Sequence, residues 1–350
     1  LGPWRVALPL IGVLVLFALW SGYWWYVSQM SRNGFERWVH EVVQRGMTVS
    51  CGEQQWGGYP FRVEMSCAPL QLSWTNSAGA GSIDLGRLES VFQVYNPRHV
   101  LAAASAPASY RIGASGGGAP NALVSATFAP ATASLVLANG GFARSDLVVR
   151  ELVADFGGAE GFGAQGRARS LELHSRFVQR DETAPMILEI AGTAEDISLA
   201  GPAVTYATGI PIALDAMTLR AEMDGAFTAA VDPSTALRAF VASGGKVRIT
   251  QLNGRQGKVT IDATGELTFD SDGQANGELD STVVNLKSIL DQLREAGRLG
   301  ELEAAFSLNM LSMLEGATSG REGSLRVKVV IKDGNVYFGP FKILELPPLF

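Results

Sequence analysis

Two cysteines and three histidines among 350 residues leave too few soft ligands for a tetrahedral Cys/His zinc site without carboxylates filling in. Charge is scarce as well, at 18% of residues against the quarter usual in soluble domains. With 28 basic and 34 acidic side chains the net charge is -6, so there is no positive field to neutralise a phosphate backbone, and nucleic acid is not expected as a partner. Between Gly46 and the 230s no long run of helical periodicity occurs, which argues against βαβ units, whose parallel strands need a crossover helix. What the chain does hold is apolar content (47%) and 40 glycines, with a mean hydropathy of +0.15. That profile excludes a disordered chain, and the length allows several domains or one long β-rich body with an appendage.

The first positive signal is a membrane segment. From Val6 to Tyr26 the chain reads VALPLIGVLVLFALWSGYWWY without one charged side chain, and a helix of roughly 20 residues spans the hydrocarbon core. Trp20, Tyr23, Trp24, Trp25 and Tyr26 crowd its far end, rings that suit the headgroup level. Such a crowd after Ala18 fits an uncleaved signal anchor over residues 1–28 rather than a removable peptide. Residues 29–46 follow as an amphipathic helix, with Phe35, Trp38, Val39, Val42 and Val43 on a face that either lies on the membrane surface or seats on the body, the latter expected because no lysine cluster argues for the former. Arg32, Glu36, Arg37, Glu41 and Arg45 fall mostly opposite, and Gly46 stops the helix.

Orientation draws on opposed signals. Arg5 precedes the span while Arg32, Arg37 and Arg45 follow it, a count that by itself favours a cytoplasmic body; the sequence starts at Leu1 rather than Met, which leaves the upstream count open. Cys51 and Cys67 argue the other way. A bond between them closes a loop of about 15 residues, stabilising by about 3 kcal/mol on the chain-entropy model, and belongs to an oxidising compartment. Two unconnected buried thiols are the alternative that spacing leaves open. The expected arrangement is a single-pass protein of the bacterial inner membrane with its body in the periplasm.

Residues 47–350 read as that body. Period-2 or β-rich runs occur at Phe61 to Cys67, Leu70 to Trp74, Leu88 to Tyr95, Leu123 to Phe128, Ser134 to Ala138, Leu147 to Phe156, Ser170 to Val178, Met186 to Ile190 and Met217 to Phe227. Further runs span Val247 to Leu252, Lys258 to Ala263, Gly265 to Phe269, Gly277 to Asp280 and Ser324 to Lys332. Asn253-Gly254, Asp272-Gly273 and Asp333-Gly334 are the expected turns, and the Ala/Gly/Ser-rich stretch Ala102 to Asn121 reads as a loop or weak hairpin. Asp232-Pro233 opens a helix that Gly244-Gly245 ends, and further helices are expected near Leu286 to Glu295 and Glu301 to Leu314. The fold class is β-rich α+β: a transmembrane helix, then a large curved antiparallel sheet with a few short helices.

Catalytic spellings lack their context. Gly113 to Gly117 matches a nucleophile elbow, without the following helix or a histidine base. Gly161, Gly163 and Gly166 spell GxGxxG ahead of a strand rather than a helix. Asp270, Asp272, Asn276 and Glu278 surround a tight turn without calcium-loop spacing. His40, His99 and His174, the last beside Glu172, show no pocket in the sequence. No catalytic residue, metal or cofactor is assigned, and the protein is not expected to be an enzyme.

Val247, Ile249, Val259, Ile261, Leu267 and Phe269 share the phase of one apolar sheet face, which alternation supplies equally to a lipid groove and to a sealed core. Trp56-Gly57-Gly58-Tyr59-Pro60-Phe61, the ending Asp333 to Pro340 with Leu346 to Leu349, and Thr264 to Asp270 with Gly273 and Gly277 are the most distinctive stretches. They resemble an uncharacterised family of proteobacterial membrane-anchored envelope proteins with a Gly-Tyr-Pro-Phe signature, within the AsmA-like superfamily. The resemblance implies a groove that holds phospholipid or another hydrophobic ligand for envelope maintenance. Tyr59 and Phe61 are expected to pack around the Cys51 and Cys67 staple. The alternatives are a non-catalytic structural or assembly subunit with a membrane-protein partner, and an envelope enzyme whose site the sequence does not show.

Overall fold

The structure is a computed structural model, and it describes residues 4–44, 46–76, 79–113, 122–138, 141–157, 163–179, 186–208, 211–226, 233–295, 297, 323–338, 341–346 and 348–349. The chain divides into two compact units, Leu1–Leu137 with Phe156–Gly161, and Ala138–Asp155 with Phe162–Phe350.

In the first unit a single helix, α1 (Trp4–Gln44), takes in both N-terminal segments. The two are continuous because one stripe serves both. Phe17, Trp20, Trp24, Ser28, Arg32, Phe35, Val39 and Val42 recur every three or four residues, so they stack on one side of the helix. Ser28 and Val42 are buried there, the Phe35 ring meets Trp56 edge-on at 6.2 Å, and the Arg32 guanidinium lies 5.6 Å over the same indole. Arg32 therefore belongs to the docking stripe rather than the polar face, where its flat cation stacks on an aromatic ring. Trp38 and Val43, expected to seat, are exposed. Towards its N-terminal end α1 leaves Leu8, Leu10, Leu16 and Leu19 more than half exposed, and the helix is long and apolar enough to cross a membrane. Gly46, at φ 79°, closes it, its N–H donating to the Val43 carbonyl.

The helix leads into β1 (Met47–Gly57), β2 (Arg62–Asn76), β3 (Gly79–Gln93), β4 (Asn96–Gly113) and β5 (Ala122–Ala138), each antiparallel to the next. The runs either side of Pro69 are one strand, and their register with β3 holds across it. Cys51 and Cys67 are disulfide-bonded across β1 and β2 with Cα atoms 5.5 Å apart, and the loop closed is of a length that stabilises by about 3 kcal/mol. Of the loop or weak hairpin expected over Ala102 to Asn121, the loop is corrected: Ala102 to Gly113 lies in β4, which pairs antiparallel with β5, and residues 114–121 fall outside the described part. Ala and Ser have weak strand preference, but β4 is held from both sides, Ala102 facing Ser90 of β3 and Ala133 of β5; neighbours outweigh propensity here.

The second unit comprises β6 (Gly141–Gly157, to Asp155), β7 (Ala164–Val178), β8 (Ile187–Ala200), α2 (Pro202–Thr208), β9 (Ile212–Asp224), α3 (Pro233–Ala242), β10 (Lys246–Gln256), β11 (Val259–Phe269), β12 (Ala275–Val284), α4 (Lys287–Glu295), β13 (Ser324–Lys332), β14 (Asn335–Phe338) and β15 (Phe341–Glu345). Strand order follows chain order. The class is the expected one, a large antiparallel sheet with few helices. Gly166 lies inside β7, so the GxGxxG spelling opens no helix. Asn253-Gly254 is not a turn: a register shift between Ile249 and Leu252 carries β10 past it. The chain reverses at Gly257, at φ 56°, whose N–H donates to Asp215 Oδ2 at 2.8 Å. Asp272-Gly273 and Asp333-Gly334 do turn. The Asp270 carboxylate accepts the N–H groups of Asp272 and Gln274 at 3.0 and 2.8 Å, closing the first of these turns in the way an Asx side chain does. The helix expected over Glu301 to Leu314 lies outside the described residues.

Ala263, Ala275, Leu279, Ile331 and Val336 form a buried cluster, with Ile249, Leu252, Leu267, Phe269, Val329 and Leu346 packed against it. Phe240 of α3, fully buried, meets Phe269 at 6.2 Å.

Candidate functional site

Directly opposed residues of antiparallel strands share a face, so register alone traces the two sides of the sheet in the second unit. On one side Leu171 of β7 faces Ala194 of β8, which faces Met217 of β9; one rung along, Leu173, Gly192 and Leu219 are aligned. With Leu147 and Val149 of β6 they line an open depression of about 330 Å3. Its walls are apolar apart from Glu172 and Thr193, whose side chains alternation sends to the other face. Leu147 and Leu173 are 41% and 47% exposed, so the depression is an uncovered apolar surface.

The six residues singled out by phase lie further along the same side. Val247 faces Leu267 and Met223, Ile249 faces Gly265, and Val259, Ile261, Leu267 and Phe269 alternate along β11. Their surroundings differ. Val259 is 3% exposed and Ile261 39%, while Ile249, Leu267 and Phe269 pack against the buried cluster. The face is covered around Phe269 and open around Leu173. The open part was missed because its residues come from four strands, and no turn signal in the sequence sets the register between them.

The other side carries charge in a row. Arg176 faces Glu189, Glu189 faces Glu222, Glu222 faces Arg248, Arg248 faces Glu266 and Glu266 faces Glu278. Arg176 binds Glu189 at 2.7 Å, and Arg248 reaches Glu222 at 3.3 Å and Glu266 at 3.6 Å. His174 lies next to this row, its Nδ1 2.8 Å from Asp146 Oδ1 and its Nε2 3.7 Å from Glu172. That hydrogen bond, helped by Arg144 at 2.9 Å, holds the Asp146 carboxyl below the usual carboxylate range. An Asp–His pair orients an imidazole, but nucleophilic chemistry also needs a hydroxyl or thiol at its free nitrogen, and His174 Nε2 faces the Glu172 carboxylate instead. Ser145 and Ser175, bonded to each other at 2.7 Å, alternate to the apolar side.

In the first unit the Gly-Tyr-Pro-Phe turn also departs from expectation. Tyr59 and Phe61 do not pack around the disulfide. Gly58, at φ 98°, reverses the chain so that the rings meet α1: Tyr59 lies 5.2 Å from Trp24 and 6.4 Å from Phe17, and Phe61 lies 5.9 Å from Trp20. Trp20 Nε1 donates to the Pro60 carbonyl at 2.9 Å, and Trp24 Nε1 to that of Arg62 at 2.8 Å.

An exposed apolar helix clamped to an antiparallel, disulfide-bonded β body defines the class: a sheet protein carrying, among the described residues, one segment able to span a membrane. The chain belongs to the bacterial family described as "uncharacterized protein conserved in bacteria (DUF2125)", whose family model matches residues 24–347. No curated protein and no solved structure matches it. The match corrects the AsmA-like reading, since it places the chain in a different family. The glycines that suggested that reading have a local cause. A Cβ at Gly265 would run into the Glu278 carbonyl, and one at Gly277 into that of Glu266, a close strand approach that any tightly paired hairpin can require.

Proposed function

We propose that this protein is anchored by α1 in the bacterial inner membrane, with its sheet in the periplasm, and that it binds a phospholipid or similar hydrophobic ligand on the open part of its apolar face. The observation that carries this reading is the depression lined by Leu147, Val149, Leu171, Leu173, Ala194, Met217 and Leu219. An uncovered apolar surface in water is a standing cost, at roughly 25 cal/mol per Å2, and an acyl chain laid along it removes that cost without ordering a second protein. The charged row on the reverse side keeps that side wetted and gives the ligand one face to choose. The disulfide supports an oxidising compartment. In this reading the protein works by binding, without catalysis.

The test is a native mass spectrum of the purified full chain beside Leu173→Asp. Leu173 is nearly half exposed, so a carboxylate there stays hydrated and the variant folds. The parent should carry lipid-sized adducts and the variant should lose them. A parent without lipid that instead co-purifies with a stoichiometric membrane protein moves the reading to an assembly subunit.

A further inference from the structure

The Gly-Tyr-Pro-Phe turn meets α1 at a particular height. Tyr59 touches Phe17, Ser21 and Trp24, its hydroxyl 2.8 Å from the Ser21 hydroxyl. Phe17 lies three residues before Trp20, where the aromatic crowd suited to the headgroup level begins, which is about 5 Å along a helix axis. A leaflet's hydrocarbon is roughly 15 Å deep. The next turn is tied to the first, because Val94 N–H donates to the Phe61 carbonyl at 3.0 Å and the Tyr23 hydroxyl to the Val94 carbonyl at 3.4 Å. Phe61, beyond its ring contact with Trp20, and Tyr95 remain 60% and 63% exposed.

Irregular backbone is tolerated at membrane depth only where its polar groups are satisfied by protein. In these two turns the carbonyls of Gly58, Pro60, Phe61, Arg62 and Val94 accept, in order, from Arg62 N–H, Trp20 Nε1, Val94 N–H, Trp24 Nε1 and the Tyr23 hydroxyl. Three of these five donors are side chains of the membrane helix itself. Water would satisfy the same carbonyls without such an arrangement; lipid would not.

We propose that the turns at residues 57–62 and 93–96 are inserted with α1 into the bilayer interface, so that Tyr59, Phe61 and Tyr95 are lipid-facing and the β body is embedded at one end rather than tethered above the surface. The occupant of this aromatic surface is the bilayer. The inference rests on α1 spanning the membrane, and its test separates the two.

Nitroxide labels on L14C, T48C, F61C and Y95C, one per full-length chain in phosphatidylcholine–phosphatidylglycerol vesicles, report collisions with oxygen, which concentrates in lipid, and with a nickel chelate, which stays in water. The native cysteines are bonded to each other and take no label. Leu14 reads the span, and Thr48, exposed at the far end of β1, reads water. The expected result is an oxygen-to-nickel ratio at Phe61 and Tyr95 several-fold above that at Thr48 and close to that at Leu14. A lipid-like ratio at Leu14 with water-like ratios at Phe61 and Tyr95 overturns insertion and leaves the span standing. A water-like ratio at Leu14 overturns both. Should F61C fail to fold, Y95C, which replaces a ring more exposed than that of Phe61, decides alone.

Discussion

His174 and Asp146 show how one contact sets a titration. The hydrogen bond from the imidazole, with Arg144 adding to it, lowers the Asp146 pKa, so the folded state binds that proton less readily than the unfolded chain does. The resulting stability is fully present above the ordinary carboxylate pKa and is lost as pH falls through the lower, native one. His174→Phe removes the larger cause. The Asp146 carboxyl should then titrate closer to the ordinary value, and the variant's deficit in stability should be full above the ordinary carboxylate pKa and shrink as pH falls through the carboxylate range. A carbon-13 titration of the side-chain carboxyl in parent and variant reads this directly; an unmoved midpoint would show that Arg144 alone sets it.

Strand β11 carries covered and open surroundings within three residues, and a carboxylate tells them apart. Val259→Asp puts a charge where the parent side chain is 3% exposed, whereas Ile261→Asp puts it where exposure is 39%. Burying an unpaired carboxylate costs several kcal/mol, and a hydrated one far less. Melting curves should show Val259→Asp unfolded or severely destabilised and Ile261→Asp close to the parent. Alternation made the shared face of these residues legible in the sequence, since period 2 is a local property. Which stretch of the face would be covered was not legible, because the cover at Phe269 is Phe240 of α3, reached through long-range packing. The same limit explains the N-terminal helix. Its two halves were visible as an apolar run and an amphipathic run, but the stripe from Phe17 to Val42 that joins them becomes a unit only once Trp56 and the Gly58 turn supply its partner. Asn253-Gly254 misled for a related reason: a turn dipeptide decides a hairpin only where the ladder ends, and here a bulge keeps it in the strand.

At the scale of the molecule, orientation is the property with the widest reach. If the body is exported, a reporter active only in the cytoplasm, fused after Phe350, should be silent in cells, while one active only outside should report fully. Strong cytoplasmic activity would overturn the periplasmic assignment and leave the disulfide without its compartment. Strand order following chain order also has a meaning in time. A polypeptide threaded outward from an N-terminal anchor releases its strands in the sequence in which they pair, so each has its neighbour waiting and none must be held open for a partner still unmade. The Cys51 and Cys67 bond, spanning only the first hairpin, is available as soon as β2 emerges. Were the body exported in this way, one bare strand edge would be on offer at every moment, and the next segment of the same chain would be the nearest thing to fit it.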